Sequence, residues 1–89
     1  MLPAAPASTL TIRVLLFASY AELLGRDAVE LTLEGPATVG DVLDRIRTFS
    51  GGESIPPHPL CAVNLAQAST DLLLSDADEL AILPPMSGG

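Results

Sequence analysis

One long helical stripe, set among runs of strict alternation, constrains this chain more than any other feature. Val39, Val42, Leu43, Ile46 and Phe49 recur at helical spacing and fall on one face. Thr38 stands at the N-cap with Asp41 three residues on, the pairing of a capping box. Arg45 and Arg47 fall in the later turns, where the helix dipole favours cations, and Ser50-Gly51-Gly52 stops the helix. A lone amphipathic helix of this kind needs one apolar sheet face to lie on. With 89 residues there is room for one such pairing and not for two domains.

The alternating runs supply that face. Residues 10–17 (LTIRVLLF) place Leu10, Ile12, Val14 and Leu16 on one side, with Leu15 and Phe17 covering part of the other. Residues 28–34 (AVELTLE) send Val29, Leu31 and Leu33 one way and Glu30, Thr32 and Glu34 the other, a strand with one wet face ended by Gly35-Pro36. Between them, residues 18–24 (ASYAELL) have the spacing of a short helix, with Tyr20, Leu23 and Leu24 on one side. Ser19 is its expected cap and Gly25 its expected C′ residue. Residues 53–59 read as a proline-rich loop, 60–64 (LCAVN) as a short buried strand, 65–69 as its weak neighbour and 72–74 as a brief apolar link. Residues 75–78 (SDAD) read as a turn and 79–83 (ELAIL) as the last strand. Pro84 and Pro85 cannot donate ladder hydrogen bonds, so pairing stops there.

The order β, short α, β, long α, β, β, β predicts an α+β roll. Its expected form is a mixed sheet of four to five strands with one main helix and a short one, the ubiquitin-like β-grasp arrangement. The domain should span 10–85, with a flexible Pro/Ala-rich extension at 1–9 and a flexible Gly-Gly tail at 86–89.

Composition narrows the function. Eleven acids against four bases give a net charge of −7, so nucleic acid and anionic membrane surfaces are poor partners and a basic protein surface is a good one. All four bases are arginines (Arg13, Arg26, Arg45 and Arg47), and there is no lysine. A single cysteine excludes an internal disulfide. No stretch reaches the roughly 18 consecutive apolar residues of a membrane span, and residues 1–9 lack the pattern of a signal peptide, so a cytoplasmic location is expected. So small a domain has little room for a deep active site, which favours function through a surface or an end.

The segment 83–89, LPPMSGG, points to the end. A Gly-Gly pair alone is weak evidence, since chain ends are often frayed. Placed after a diproline stop and the final strand, it makes a thin thread that fits a narrow channel and adopts whatever backbone angles a partner imposes. The diproline stiffens its base, and the Gly89 carboxylate becomes the reactive group presented at its end.

From about Thr11 to Gly89 the chain resembles the small subunit of molybdopterin synthase, the MoaD family of sulfur carriers. The residues that carry the likeness are IRVLLFA with AELLG behind it, AVN at 62–64, and DADELAILPPMSGG at the end. The resemblance implies that an adenylating enzyme related to ubiquitin activators, using ATP and magnesium, converts the Gly89 carboxylate to an acyl-adenylate. A persulfide sulfur donor then displaces AMP, leaving a thiocarboxylate. It further implies docking to a large subunit of the MoaE family in a heterotetramer, with Pro84, Pro85, Met86, Ser87, Gly88 and Gly89 threaded into that subunit's active site. There the sulfur attacks cyclic pyranopterin monophosphate. This chain would bind no cofactor or metal and would carry no catalytic acid or base of its own. Where this family commonly has Gly in the turn before the last strand, Ala77 stands here.

Other residues have plainer readings beside sharper ones. Cys61 is a strand residue that reads as a small hydrophobe rather than a sulfur-transfer thiol. His58 lies in the loop without metal-ligand spacing; Asp76, Asp78 and Glu79 form a solvated turn and not an EF-hand; Ser8, Ser19 and Ser87 lack a nucleophile's context. Phe17, Leu65 and Leu83 are candidates for an apolar partner surface, against the alternative that they are core. Two other functions fit the tail: a sulfur carrier for another pathway (thiazole, as in the ThiS family, cysteine or tRNA thiolation), or a ubiquitin-like protein modifier or interaction module.

Overall fold

A computed structural model describes residues 9–85. Residues 1–8 of the expected extension and the last four residues, Met86, Ser87, Gly88 and Gly89, lie outside the described residues, while Thr9 already belongs to the sheet. The elements follow the expected order: β1 (Thr9–Leu16), α1 (Ala18–Leu24), β2 (Ala28–Glu34), α2 (Val39–Arg47), a 3-10 turn at Gly52–Ser54, β3 (Leu60–Val63), β4 (Ala66–Ala68) and β5 (Glu79–Leu83). The five strands form one mixed sheet in the order β2-β1-β5-β3-β4. β1 runs antiparallel to β2 and parallel to β5, and β3 runs antiparallel to both β5 and β4. This is the β-grasp: a hairpin, a helix laid across the sheet, and a last strand returning to the centre beside the first.

The alternation decides which face the helix covers. Leu10, Ile12, Val14 and Leu16 of β1 are buried, as are Val29, Leu31 and Leu33 of β2, Leu80 and Ile82 of β5, and Cys61 and Val63 of β3. Against them α2 lays Val39, Val42, Leu43 and Ile46, all essentially inaccessible to solvent. Burying each such aliphatic side chain contributes roughly 1.5–3 kcal/mol before conformational entropy is set against it. No polar or charged residue is buried among the described residues.

The capping box of α2 forms as the sequence predicts. Asp41 N–H donates to Thr38 Oγ1 at 3.2 Å, and Thr38 N–H donates to Asp41 Oδ2 at 2.8 Å. Residues 70–74 complete the job by strapping across the helix start. Val39 N–H donates to the Leu72 carbonyl at 3.0 Å and Gly40 N–H to the Thr70 carbonyl at 2.9 Å. A helix leaves its first N–H groups without intrahelical partners, and here the strap takes them up.

Several details differ from expectation: α2 ends at Arg47 with Thr48 as its C-cap, which leaves Phe49 beyond the helix, and Asn64 lies in the β3–β4 turn and not in the strand. The α1 N-cap is Phe17 and not Ser19, because the chain turns early at Ala18, which stands at φ 51; Ser19 lies inside the helix, and no side chain caps it. For the same reason β1 ends at Leu16, with Phe17 already part of the turn. Leu23 is exposed, while Tyr20 takes the buried position of α1. β3 is not buried throughout: Cys61 and Val63 face the core, Ala62 is half-buried on the other side, and Leu60 is exposed.

The Ser50-Gly51-Gly52 stop has a tertiary reason besides a local one. Gly51 adopts φ 89, and a Cβ there would sit 2.0 Å from the Leu23 carbonyl oxygen. A Cβ on Gly52 would sit 2.1 Å from the Ile46 carbonyl oxygen. The glycine pair lets the segment after α2 pass backbone to backbone against the ends of both α1 and α2.

Candidate functional site

The helix covers one face of the sheet and leaves the other open. Paired residues on neighbouring strands share a face, so the open face can be read from the register. One row runs Ala28, Leu15, Ala81, Ala62, Gln67 across all five strands. The next row towards the end of β5 pairs Leu83 with Leu60. Apart from Gln67 these form an apolar band around the end of the final strand, its members half-buried or exposed in the isolated chain. One step towards the start of β5 the character changes, with Arg13 between Glu30 and Glu79.

The last strand leaves the sheet beside this band. Ile82 pairs with Leu16, so Leu83 emerges next to Phe17, which is 43 % exposed. Pro84 and Pro85 follow with no strand pairing, as expected of residues lacking an N–H donor. Phe17 also borders an open groove of about 430 Å³ that includes Leu15, Ala18, Ala21 and Ala28. A larger hollow of about 710 Å³ lies on the helix side between α2 and β2, away from the end of β5, lined by Thr32, Glu34, Asp41 and Asp44 among others.

Of the three apolar candidates from the sequence, Phe17 and Leu83 each follow directly on the last β1–β5 pair, Leu16 with Ile82, and so lie at the same level of neighbouring strands. Leu65 does not join them: it occupies the tip of the β3–β4 hairpin, at the start of β5, about 13 Å away by strand rise. Leu15, Leu60, Ala62 and Ala81 complete the band. Alternation placed Leu15 on the open face, but no local signal linked these four, because only the register joins them.

At its other end β5 is anchored by the turn that the sequence reads as solvated. Asp76 Oδ1 accepts from Thr11 N–H at 2.8 Å, and Ala77 N–H donates to the Thr11 carbonyl at 2.9 Å. Ala77 stands at φ 71, where an L side chain is strained. Asn64 grips the same turn: its Nδ2 donates to Asp78 Oδ1 at 2.9 Å, and its Oδ1 accepts from Glu79 N–H at 3.0 Å. Asp78 Oδ2 accepts from Ser75 N–H at 2.7 Å. These carboxylates bind the backbone of Thr11 and Ser75 and the side chain of Asn64, and no group of residues able to hold a metal ion occurs among the described residues.

Cys61 is buried on the core face, 2 % exposed, and burial pushes its thiol up to about 11. A thiol that remains protonated at neutral pH is a poor nucleophile. His58 is exposed in its loop, as expected. The described part of the molecule is therefore a helix-covered sheet with an apolar band on its open face, and β5 ends beside that band at Leu83.

Comparison with known proteins fits this geometry. The ThiS family model matches residues 14–89. Small archaeal modifier protein 1 of Haloferax volcanii is 35 % identical over 83 residues, covering 83 % of this chain and 95 % of that protein. Its crystal structure superposes with a TM-score of 0.78 at 31 % identity, covering 89 % of this chain and 99 % of that one. The molybdopterin synthase sulfur carrier subunit of Escherichia coli is 37 % identical over 81 residues, covering 88 % of this chain and 99 % of that protein. A ubiquitin of Caldiarchaeum subterraneum shares the fold, with a TM-score of 0.63 at 17 % identity over 92 % of this chain and all of that one.

Proposed function

The chain belongs to the ThiS family of sulfur carriers, and from that premise we propose that it is the sulfur-carrier small subunit of molybdopterin synthase. Gly89 is the working residue. The observation that carries this reading is the placement of the final strand, which leaves the sheet between Phe17 and the apolar band and runs directly into Pro84 and Pro85. A partner seated on the band is thereby placed to receive whatever follows.

The chemistry explains why the end needs help. A carboxylate repels nucleophiles and has no usable leaving group. Adenylation with ATP and magnesium, by a ubiquitin-activating-type enzyme, releases pyrophosphate and installs AMP as the leaving group. The terminal sulfur of a persulfide donor attacks the acyl carbon and expels AMP. A thiol then cleaves the sulfur–sulfur bond and leaves the Gly89 thiocarboxylate. That sulfur is polarisable and ionised at neutral pH, so it can attack cyclic pyranopterin monophosphate; a single water then cleaves the acyl–sulfur bond, leaving the sulfur on the pterin and restoring the Gly89 carboxylate. A large subunit of the MoaE family supplies the pocket that positions it and excludes water, together with the acids and bases. The small subunit itself needs no catalytic side chain. Two small and two large subunits form the assembly, in the cytoplasm.

Co-expression with an adenylating enzyme and a persulfide donor should yield an intact mass in which one oxygen of Gly89 is replaced by sulfur. That species, mixed with a MoaE-type large subunit and the pterin precursor, should form molybdopterin. Removing Gly89, or adding a residue after it, should abolish transfer and leave folding unchanged. Undiminished product from either variant would refute the mechanism.

A second reading has its own support in the likeness to small archaeal modifier protein 1. In that case the activated terminus is joined to lysines of other proteins. The chain has no lysine, so it cannot extend such conjugates through its own side chains. Covalent adducts with other proteins in place of molybdopterin would favour this alternative.

A further inference from the structure

The β3–β4 hairpin turns through two residues, Asn64 and Leu65, at φ 49 and φ 75. Two-residue turns with both angles positive suit Asn at the first position and Gly at the second. Asn64 obeys this rule and Leu65 breaks it. Leu65 is also 94 % exposed, so no described residue compensates the strain by packing on it. The tip is firmly held nonetheless: the Asn64 side chain is bound to Asp78 and Glu79, and its N–H donates to the Glu79 carbonyl at 2.9 Å. An apolar side chain is thus displayed to solvent on a clamped turn, in a backbone conformation that disfavours it. Strain that the isolated fold does not need points to a role outside the fold.

We infer that Leu65 is an anchor for the partner that covers the open sheet face, entering an aliphatic pocket on it some distance from the tail. This rests on the sulfur-carrier reading above and extends the docking surface to the opposite end of β5. The separation of about 13 Å from Leu83 falls well within a standard interface, which takes about 800 Å² from each protein. The residues that Asn64 grips, Asp78 and Glu79, are acidic, and the chain carries a net charge of −7. The pocket is therefore rimmed by arginine or lysine. The same charge disfavours a second copy of this chain as the occupant.

Binding of the full chain to a MoaE-type large subunit, measured by calorimetry beside the thermal midpoint of each variant alone, tests the inference. Leu65→Gly and Leu65→Asn remove the anchor and suit the turn. Both should weaken binding about tenfold or more while the midpoint holds or rises. Leu65→Met keeps the apolar bulk and should bind within a few-fold of the parent. Unchanged affinity in Leu65→Gly, or affinity lost only in step with a falling midpoint, would overturn the inference. So would a concentration-dependent dimer of the parent that Leu65→Gly abolishes. Ala81→Asp, in the apolar band, separates the two levels of argument. If it abolishes binding while Leu65→Gly is neutral, the carrier reading stands and the anchor falls. If the parent itself does not bind the large subunit, both fall together.

Discussion

Asn64 and Asp78 meet side chain to side chain at 2.9 Å, tying the β3–β4 turn to the turn that opens β5. With the Glu79 N–H held by the same amide, one residue fixes the starting point of the strand that leads to the tail. Replacing it removes two hydrogen bonds and places a new side chain at φ 49. Asn64→Ala should cost about 2–3 kcal/mol, read as a lower urea midpoint. Asn64→Gly tolerates the angle and should lose less. Equal losses in the two variants would show that the backbone angle is irrelevant.

Ala77 sits in the adjoining turn at φ 71, with its N–H bound to the Thr11 carbonyl. Glycine relieves the left-handed strain at a smaller entropic cost. Ala77→Gly should stabilise the domain by about 0.5–1 kcal/mol in equilibrium unfolding, without changing the hydrogen bond.

Two glycines with similar backbone angles should respond differently to alanine. Gly25, at φ 72, has open space where a Cβ would go, whereas Gly51, at φ 89, would drive one into the Leu23 carbonyl. Gly25→Ala should cost about 1 kcal/mol and Gly51→Ala about 3 kcal/mol or more. Chemical denaturation of both variants compares strain alone with strain plus collision.

On the open face, Ala81 lies between Leu15 and Ala62 in the middle of the apolar band. Ala81→Asp puts a charge where a partner must exclude water. Thermal stability should stay within about 1 kcal/mol of the parent, while affinity for a large subunit falls roughly 100-fold. A variant that binds normally would remove the band from the interface.

Alkaline pH should expose the buried thiol. Cys61 is raised from 9.0 to about 11 in the folded chain, so the fold favours the protonated form. That contribution is fully present below pH 9 and is lost as pH rises through about 11. Tyr20 is also raised, mainly by desolvation and secondarily by Cys61, and acts in the same direction. Unfolding free energy should therefore decline across this window, and Cys61→Ala should flatten the thiol's share of the decline while leaving the share that comes from desolvation of Tyr20. At pH 8 native Cys61 should resist alkylation that proceeds once the chain is unfolded.

What was legible in advance was local in origin. β2 and α2 announce themselves through periods of two and 3.6, and Thr38 and Asp41 form their box within four residues. Gly25 closes α1 where a C′ glycine belongs, with its φ at 72. Ser19 misled because Ala18 turns left-handed, a choice no propensity signals. Leu60 was read as buried because a short apolar run does not reveal which of its faces meets the helix. The apolar band is not legible in the sequence because Leu15, Ala81, Ala62 and Leu60 come from three strands joined only by register. For the same reason the sequence does not separate Leu65 from Phe17 and Leu83, although the hairpin carries it to the far end. The motif AVN was recognisable as a family mark, but its purpose appears only when Asn64 is seen holding Asp78.

β5 lies in the middle of the sheet, laced to β1 on one side and β3 on the other. A load applied where the chain leaves Leu83, directed along the strand, is shared by both ladders at once, so the bonds must shear together and cannot unzip singly. An enzyme that grips the end and hauls on it therefore meets its greatest mechanical resistance in the element from which the tail departs.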